Sequence, residues 1–169
     1  MDRWVGFPAV VNEKAARVVA AGVVLLTATI LATGWWWLTV LLAGGFALRV
    51  AAGPRWSPLG RLAAEVVAPR LGEPRLVPGP PKRFAQAVGL GVSAAAAVAV
   101  LGLGGAGAEG VATGLLGKLL AFAALESVWG FCAGCWAFGL LMRAGWVPQE
   151  TCAACSDITA RRSSVVAPG

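Results

Sequence analysis

Long apolar runs alternate with short polar or glycine-marked breaks along most of this chain. Asn12-Glu13-Lys14 opens the first run, and from Ala15 to Thr33 the residues are Val, Leu, Ala and their like, with Arg17 as the only charge. About 20 such residues are what a helix needs to cross the hydrocarbon of a bilayer. Gly34 breaks the run and Trp35-Trp36-Trp37 follows, rings suited to the headgroup boundary. The pattern predicts a second helix from there to about Arg49, with Gly44-Gly45 as a close-packing or bending point. A third helix is expected over Phe84 to Gly102. Its small side chains at Gly89, Gly91, Ser93 and Ala94 to Ala97 suit a buried position. Leu101 to Gly114 reads as a glycine-rich turn, and a fourth helix as Leu115 to Leu141.

Between the second and third runs the character changes. Residues 53 to 83 hold six Lys or Arg and most of the prolines. Within them Leu59, Leu62, Ala63, Val66 and Val67 recur at helical spacing, which predicts a short amphipathic helix lying on the membrane and closed by Pro69. Gly72 to Pro81 reads as a Pro-rich connector. The expected fold is therefore all-α: a four-helix transmembrane bundle with a short surface helix between helices two and three. Residues 1–14 form a lead-in, 15–145 the membrane domain and 146–169 a tail.

Composition supports this: 58% of the 169 residues are hydrophobic and 13% charged, with a mean hydropathy of +0.75, outside the range of soluble domains. The net charge of +6 is read as orientation and lipid contact and not as a nucleic-acid surface. With four spans, nearly every Lys and Arg falls on the side holding both termini, while the other holds Lys118 and Glu109. The positive-inside rule then puts both termini in the cytoplasm of a plasma membrane. There are no His or Tyr residues, which excludes a His-ligated haem, a His-dependent triad and a tyrosyl radical.

All four cysteines lie in two C-x-x-C units, Cys132/Cys135 and Cys152/Cys155, 16 residues apart. On the reducing side of a membrane these are working thiols, metal ligands or packing residues. Cys132 and Cys135, three apart, share a helix face beside Trp129 and Trp136, with Gly130 and Gly134 allowing close approach. Pro148 and Thr151 resemble a helix start, where Cys152 would be favoured as thiolate. Four outcomes stay open: a relay of sulfur or electrons between the pairs, a structural zinc on all four thiols, an iron-sulfur cluster, or plain packing. Glu126 is a carboxylate inside a spanning segment, a costly placement that points to function. Its expected partner is a basic or hydroxyl group of another helix, with Lys118 also in reach. Cys132 lies about 120° from Glu126 on an ideal helix, so no contact between them is expected. Gly102 to Gly107 lacks the strand and the Gly-Lys-Ser/Thr ending of a phosphate loop and reads as a turn.

The segments Gly53 to Ala63, Pro80 to Gly89 and Ala124 to Ile158 resemble the DUF4395 family of small bacterial membrane proteins, most specifically in the Phe-Cys-x-Gly-Cys-Trp core with its downstream Cys-x-x-Cys. The resemblance implies sulfur or redox traffic, since members accompany thioredoxin-like proteins and rhodanese-type sulfurtransferases. The expected function is a membrane-bound thiol relay of sulfur or electrons, including passage of a sulfur anion, that uses Cys132, Cys135, Cys152 and Cys155 with Glu126 handling the proton. Such an enzyme would be a thiol-disulfide oxidoreductase or a sulfur-transfer protein. The rival is a non-catalytic scaffold whose four cysteines hold zinc or an iron-sulfur cluster. Partners expected are lipid, a soluble thiol protein and a second copy or a larger complex.

Overall fold

A computed structural model describes residue 8 and residues 10–147, the side chain of Arg55 excepted. It is helical throughout apart from one pair of short strands. Strand β1 (Val10–Asn12) leads into α1 (Glu13–Thr33), α2 (Leu38–Ala52) and a 3-10 turn at Pro54–Trp56. Helix α3 (Pro58–Arg61) runs on as a wider π-helical turn over Leu62–Val67 and a 3-10 turn over Ala68–Leu71. Strand β2 (Leu76–Pro78), α4 (Gly79–Ala97, continued as a π-helical turn to Leu103), α5 (Gly105–Trp129) and α6 (Ala133–Arg143) complete it.

The start of α1 follows from its residues, for the Asn12 carboxamide accepts the Lys14 N–H at 3.0 Å as an N-cap. Its end does too: Gly34 takes φ 69°, the left-handed cap that favours glycine. Helices α1 and α5 pack together, as do α2 and α4. Val23, Ile30, Leu42, Phe46, Ala96 and Leu116 form the main buried cluster. A second cluster joins Ala15 and Val19 of α1 to Ala63 and Ala68, so the expected amphipathic segment exists and rests against the start of α1. Leu25, Leu41, Leu103, Val111 and Phe122 point outward and are exposed, an apolar exterior that suits lipid and not water.

Three helices are long and apolar enough to cross a membrane: Glu13–Thr33, Gly79–Leu103 and Gly105–Trp129. Helix α2 is shorter. Its 15 residues span about 22 Å against the roughly 30 Å of hydrocarbon, because the Trp triplet forms a turn before it. In that turn Trp35 and Trp37 are exposed and Trp36 packs on the core.

Three expectations on local structure change. Helix α2 passes through Gly44-Gly45 without interruption, so the pair does not break the helix. The glycine-rich turn shrinks to Gly104 and Gly105, both at positive φ; Leu101–Leu103 continue α4 and the residues after Gly105 join α5, where lipid-facing glycine is tolerated. The Pro-rich connector contributes β2, which pairs antiparallel with β1, and α4 starts at Gly79, because prolines fit a helix's first turn.

Candidate functional site

The expected fourth helix is two helices. Helix α5 stops at Gly130, which adopts φ 73° with its N–H on the Glu126 carbonyl at 2.9 Å. Arg17 of α1 reinforces the stop: its guanidinium donates to the carbonyls of Ser127 at 3.1 Å and Val128 at 2.6 Å. These carbonyls have no partner within the helix, and a cation there also opposes the negative end of the dipole. Arg17→Met is accordingly expected to fray the last turn of α5, at a cost of about 1–2 kcal/mol, read as faster amide exchange at Gly130.

After the break Cys132 is extended (φ −99°, ψ 104°) and caps α6, its Sγ accepting the Cys135 N–H at 3.4 Å. Cys135 thus stands in the first helical turn and Cys132 is the N-cap, where backbone N–H groups and the dipole favour negative sulfur on Cys132. Cys132 is buried and Cys135 half-buried, both as free thiols. In the break, outside the three long helices, the Cys132 thiol is held below its ordinary pKa. The main cause is a hydrogen bond from the Cys135 side chain, with Lys82 adding to it against burial and Glu126.

Helix α6 is held against α4 by contact of backbones. A side-chain carbon at Gly134 would overlap the Ala85 side chain and stand 2.6 Å from its Cα, and Phe84 meets Phe138 at 5.7 Å between ring centroids. The approach expected at Gly134 is therefore present, with α4 as the backbone admitted. Gly134→Val is expected to push α6 off α4 and destabilise the protein by about 1–3 kcal/mol, measured by thermal unfolding.

Glu126 pairs with Lys82 of α4, Nζ to Oε1 at 2.6 Å, with the two side chains only 9% and 15% exposed. The partner is basic and from another helix, as expected, but it is not Lys118. Lys82 lies inside α4, which begins before the Phe84 expected as its start. The Gly79-Pro80-Pro81 start that places it inside was a readable signal. Lys82 is within electrostatic reach of Glu126, Cys132 and Cys135 together. The helical-wheel separation of Glu126 from Cys132 is thus overturned: the break at Gly130 resets the phase, and both residues line one cavity of about 570 Å³. Its other walls are mainly apolar, from Val19 and Val23 of α1, Val88 and Val92 of α4 and Phe122 of α5.

Cys152 and Cys155 lie outside the described residues, and so does any contact between the two C-x-x-C pairs. Among the described residues no three His, Cys, Asp or Glu side chains are grouped to hold a metal. A four-thiolate zinc or iron-sulfur site would draw half its ligands from beyond them.

A family model described as a domain of unknown function, DUF4395, matches residues 11–143. No curated protein matches the chain, and no solved structure does.

Proposed function

This chain belongs to the DUF4395 family, and for it we propose a thiol relay seated in a membrane, with Cys132 as nucleophile and Cys135 as resolving thiol. The observation that carries this is the cap: a buried thiol at a helix N-terminus, its partner thiol one turn on, and the Lys82–Glu126 pair beside both. The Cys132 sulfur already meets the backbone N–H of Cys135, and a C-x-x-C pair at a helix N-terminus is the arrangement of disulfide oxidoreductases.

In the exchange, the Cys132 thiolate attacks one sulfur of a partner's disulfide. A mixed disulfide forms and one partner thiolate leaves with a proton from water. Cys135 then gives its proton to Glu126 and attacks Cys132 Sγ. The mixed disulfide breaks, the second partner thiolate departs, and a Cys132–Cys135 disulfide remains while the partner's disulfide has been reduced by two electrons. With a persulfide, the same thiolate takes the outer sulfur and the partner thiolate leaves. Cys152 and Cys155 on the tail, or a thioredoxin-like or rhodanese-type protein, would supply the exchanging sulfur.

The same reading makes α2 the fourth span, with Trp35 and Trp37 at the headgroups, and puts both termini in the cytoplasm of a bacterial inner membrane. Charge supports that orientation. Lys14, Arg17, Arg49, Lys82 and Arg83 gather where α1 and α4 begin and α2 and α5 end, which is also the cysteine end.

The test is alkylation against pH, followed residue by residue by mass spectrometry in a Cys152→Ser/Cys155→Ser chain. A depressed pKa keeps thiolate present at lower pH, so Cys132 should be half-maximally reactive below the ordinary thiol value of about 8.5. Glu126→Gln, which removes an opposing negative charge, should move that midpoint lower still. A Cys132 profile at or above the ordinary value would overturn the assignment of nucleophile.

A further inference from the structure

Two cations are buried in the described fold, Arg49 and Lys82. Lys82 has Glu126. Arg49, near the end of α2 and 4% exposed, has no carboxylate partner among the described residues. Its contacts are neutral: Nε donates to Gln86 Oε1 at 2.7 Å, Nη1 reaches Ser57 Oγ at 3.4 Å, and the guanidinium lies 4.6 Å over the Phe46 ring. Two of its five N–H donors are thereby used. A full charge taken from water is not balanced by neutral groups of this kind.

Arg49 lines a second cavity, of about 700 Å³, which Lys82 also borders while Glu126 borders the first. Asn12, Trp56, Arg61, Lys82 and Gln86 are also on its walls. Among the described residues the other cations on its walls have carboxylates, Arg61 with Glu65 at 3.8 Å and Lys82 with Glu126. Of the three, Arg49 is the one without a carboxylate among the described residues. We infer that this cavity binds an oxyanion head group, phosphate, sulfate or carboxylate, with the Arg49 fork as its counter-ion. The volume exceeds that of a bare tetrahedral anion, so the head is carried on a larger body or is that of an anionic phospholipid.

The experiment uses the full chain with all four cysteines changed to Ser, so that its outcome does not depend on thiol chemistry. Delipidated protein in neutral detergent is unfolded thermally in phosphate or sulfate, at ionic strength held constant with chloride, and again with phosphatidylglycerol against phosphatidylcholine. Saturating ligand should raise Tm by roughly 5–10 °C. The shift should vanish in Arg49→Gln and persist in Arg70→Gln, which loses the same charge away from the cavity. Ala64→Phe adds bulk at the cavity wall while keeping the Arg49 side chain, and should also abolish it if Arg49→Gln does not fold. A shift with the free anions marks a soluble ligand, and one confined to phosphatidylglycerol marks a lipid head. Equal Tm in all media for the parent chain, or a shift kept in both Arg49→Gln and Ala64→Phe, would overturn the inference.

Discussion

Cys132→Ser should abolish exchange with a small disulfide reagent, lowering its rate by several orders of magnitude, while Cys135→Ser leaves the first step intact and stops at the mixed disulfide. The asymmetry follows from position. Cys132 is the N-cap whose Sγ accepts the Cys135 N–H, so its negative form is stabilised before any partner arrives. Cys135 becomes nucleophilic only when its proton is removed. Intact mass after reaction with glutathione disulfide separates the two. A chain carrying one glutathione is expected for Cys135→Ser and an unmodified one for Cys132→Ser, with Cys152 and Cys155 already changed to Ser in both.

Lys82→Met should cost about 3–5 kcal/mol, because it leaves the Glu126 carboxylate buried without its cation. For a chain of this length that corresponds to a fall in Tm of roughly 6–20 °C. The double replacement Lys82→Met/Glu126→Leu should restore most of that stability, since removing both charges also removes the cost of burying them. It should not restore thiol exchange, because the group that takes the Cys135 proton has gone with them. Recovery of both properties in the double variant would reduce the pair to a packing device, and recovery of neither would point to a loss of the α4–α5 contact itself.

The helical content and the segments that bury apolar surface were legible in the hydrophobic runs. α1 was placed to within two residues, since Asn12 and Gly34 are unambiguous caps. The spacing of Cys132 and Cys135 suggested one helix face, whereas only Cys135 is helical and Cys132 is the extended cap before it. What escaped was the break between α5 and α6. A continuous apolar run gives no periodic sign of a stop, and the left-handed turn at Gly130 is reinforced by Arg17, far away in sequence, which caps the last carbonyls. That break is what brings Glu126 and Cys132 to one cavity. Lys82 fell before the helix expected from Phe84, because a basic residue after two prolines looks like loop, yet the prolines are the helix start that carries it inward. Arg49 looked like the charged end of a span, and only its burial against Gln86, Ser57 and Phe46 distinguishes it.

The most direct measurement is a redox titration of the Cys152→Ser/Cys155→Ser chain in nanodiscs, poised with glutathione buffers and read by intact mass after alkylation. A reversible two-electron transition between two alkylated thiols and one Cys132–Cys135 disulfide is the result expected. Thiols that stay reduced across the whole range, or that become glutathionylated independently without forming the disulfide, would contradict it.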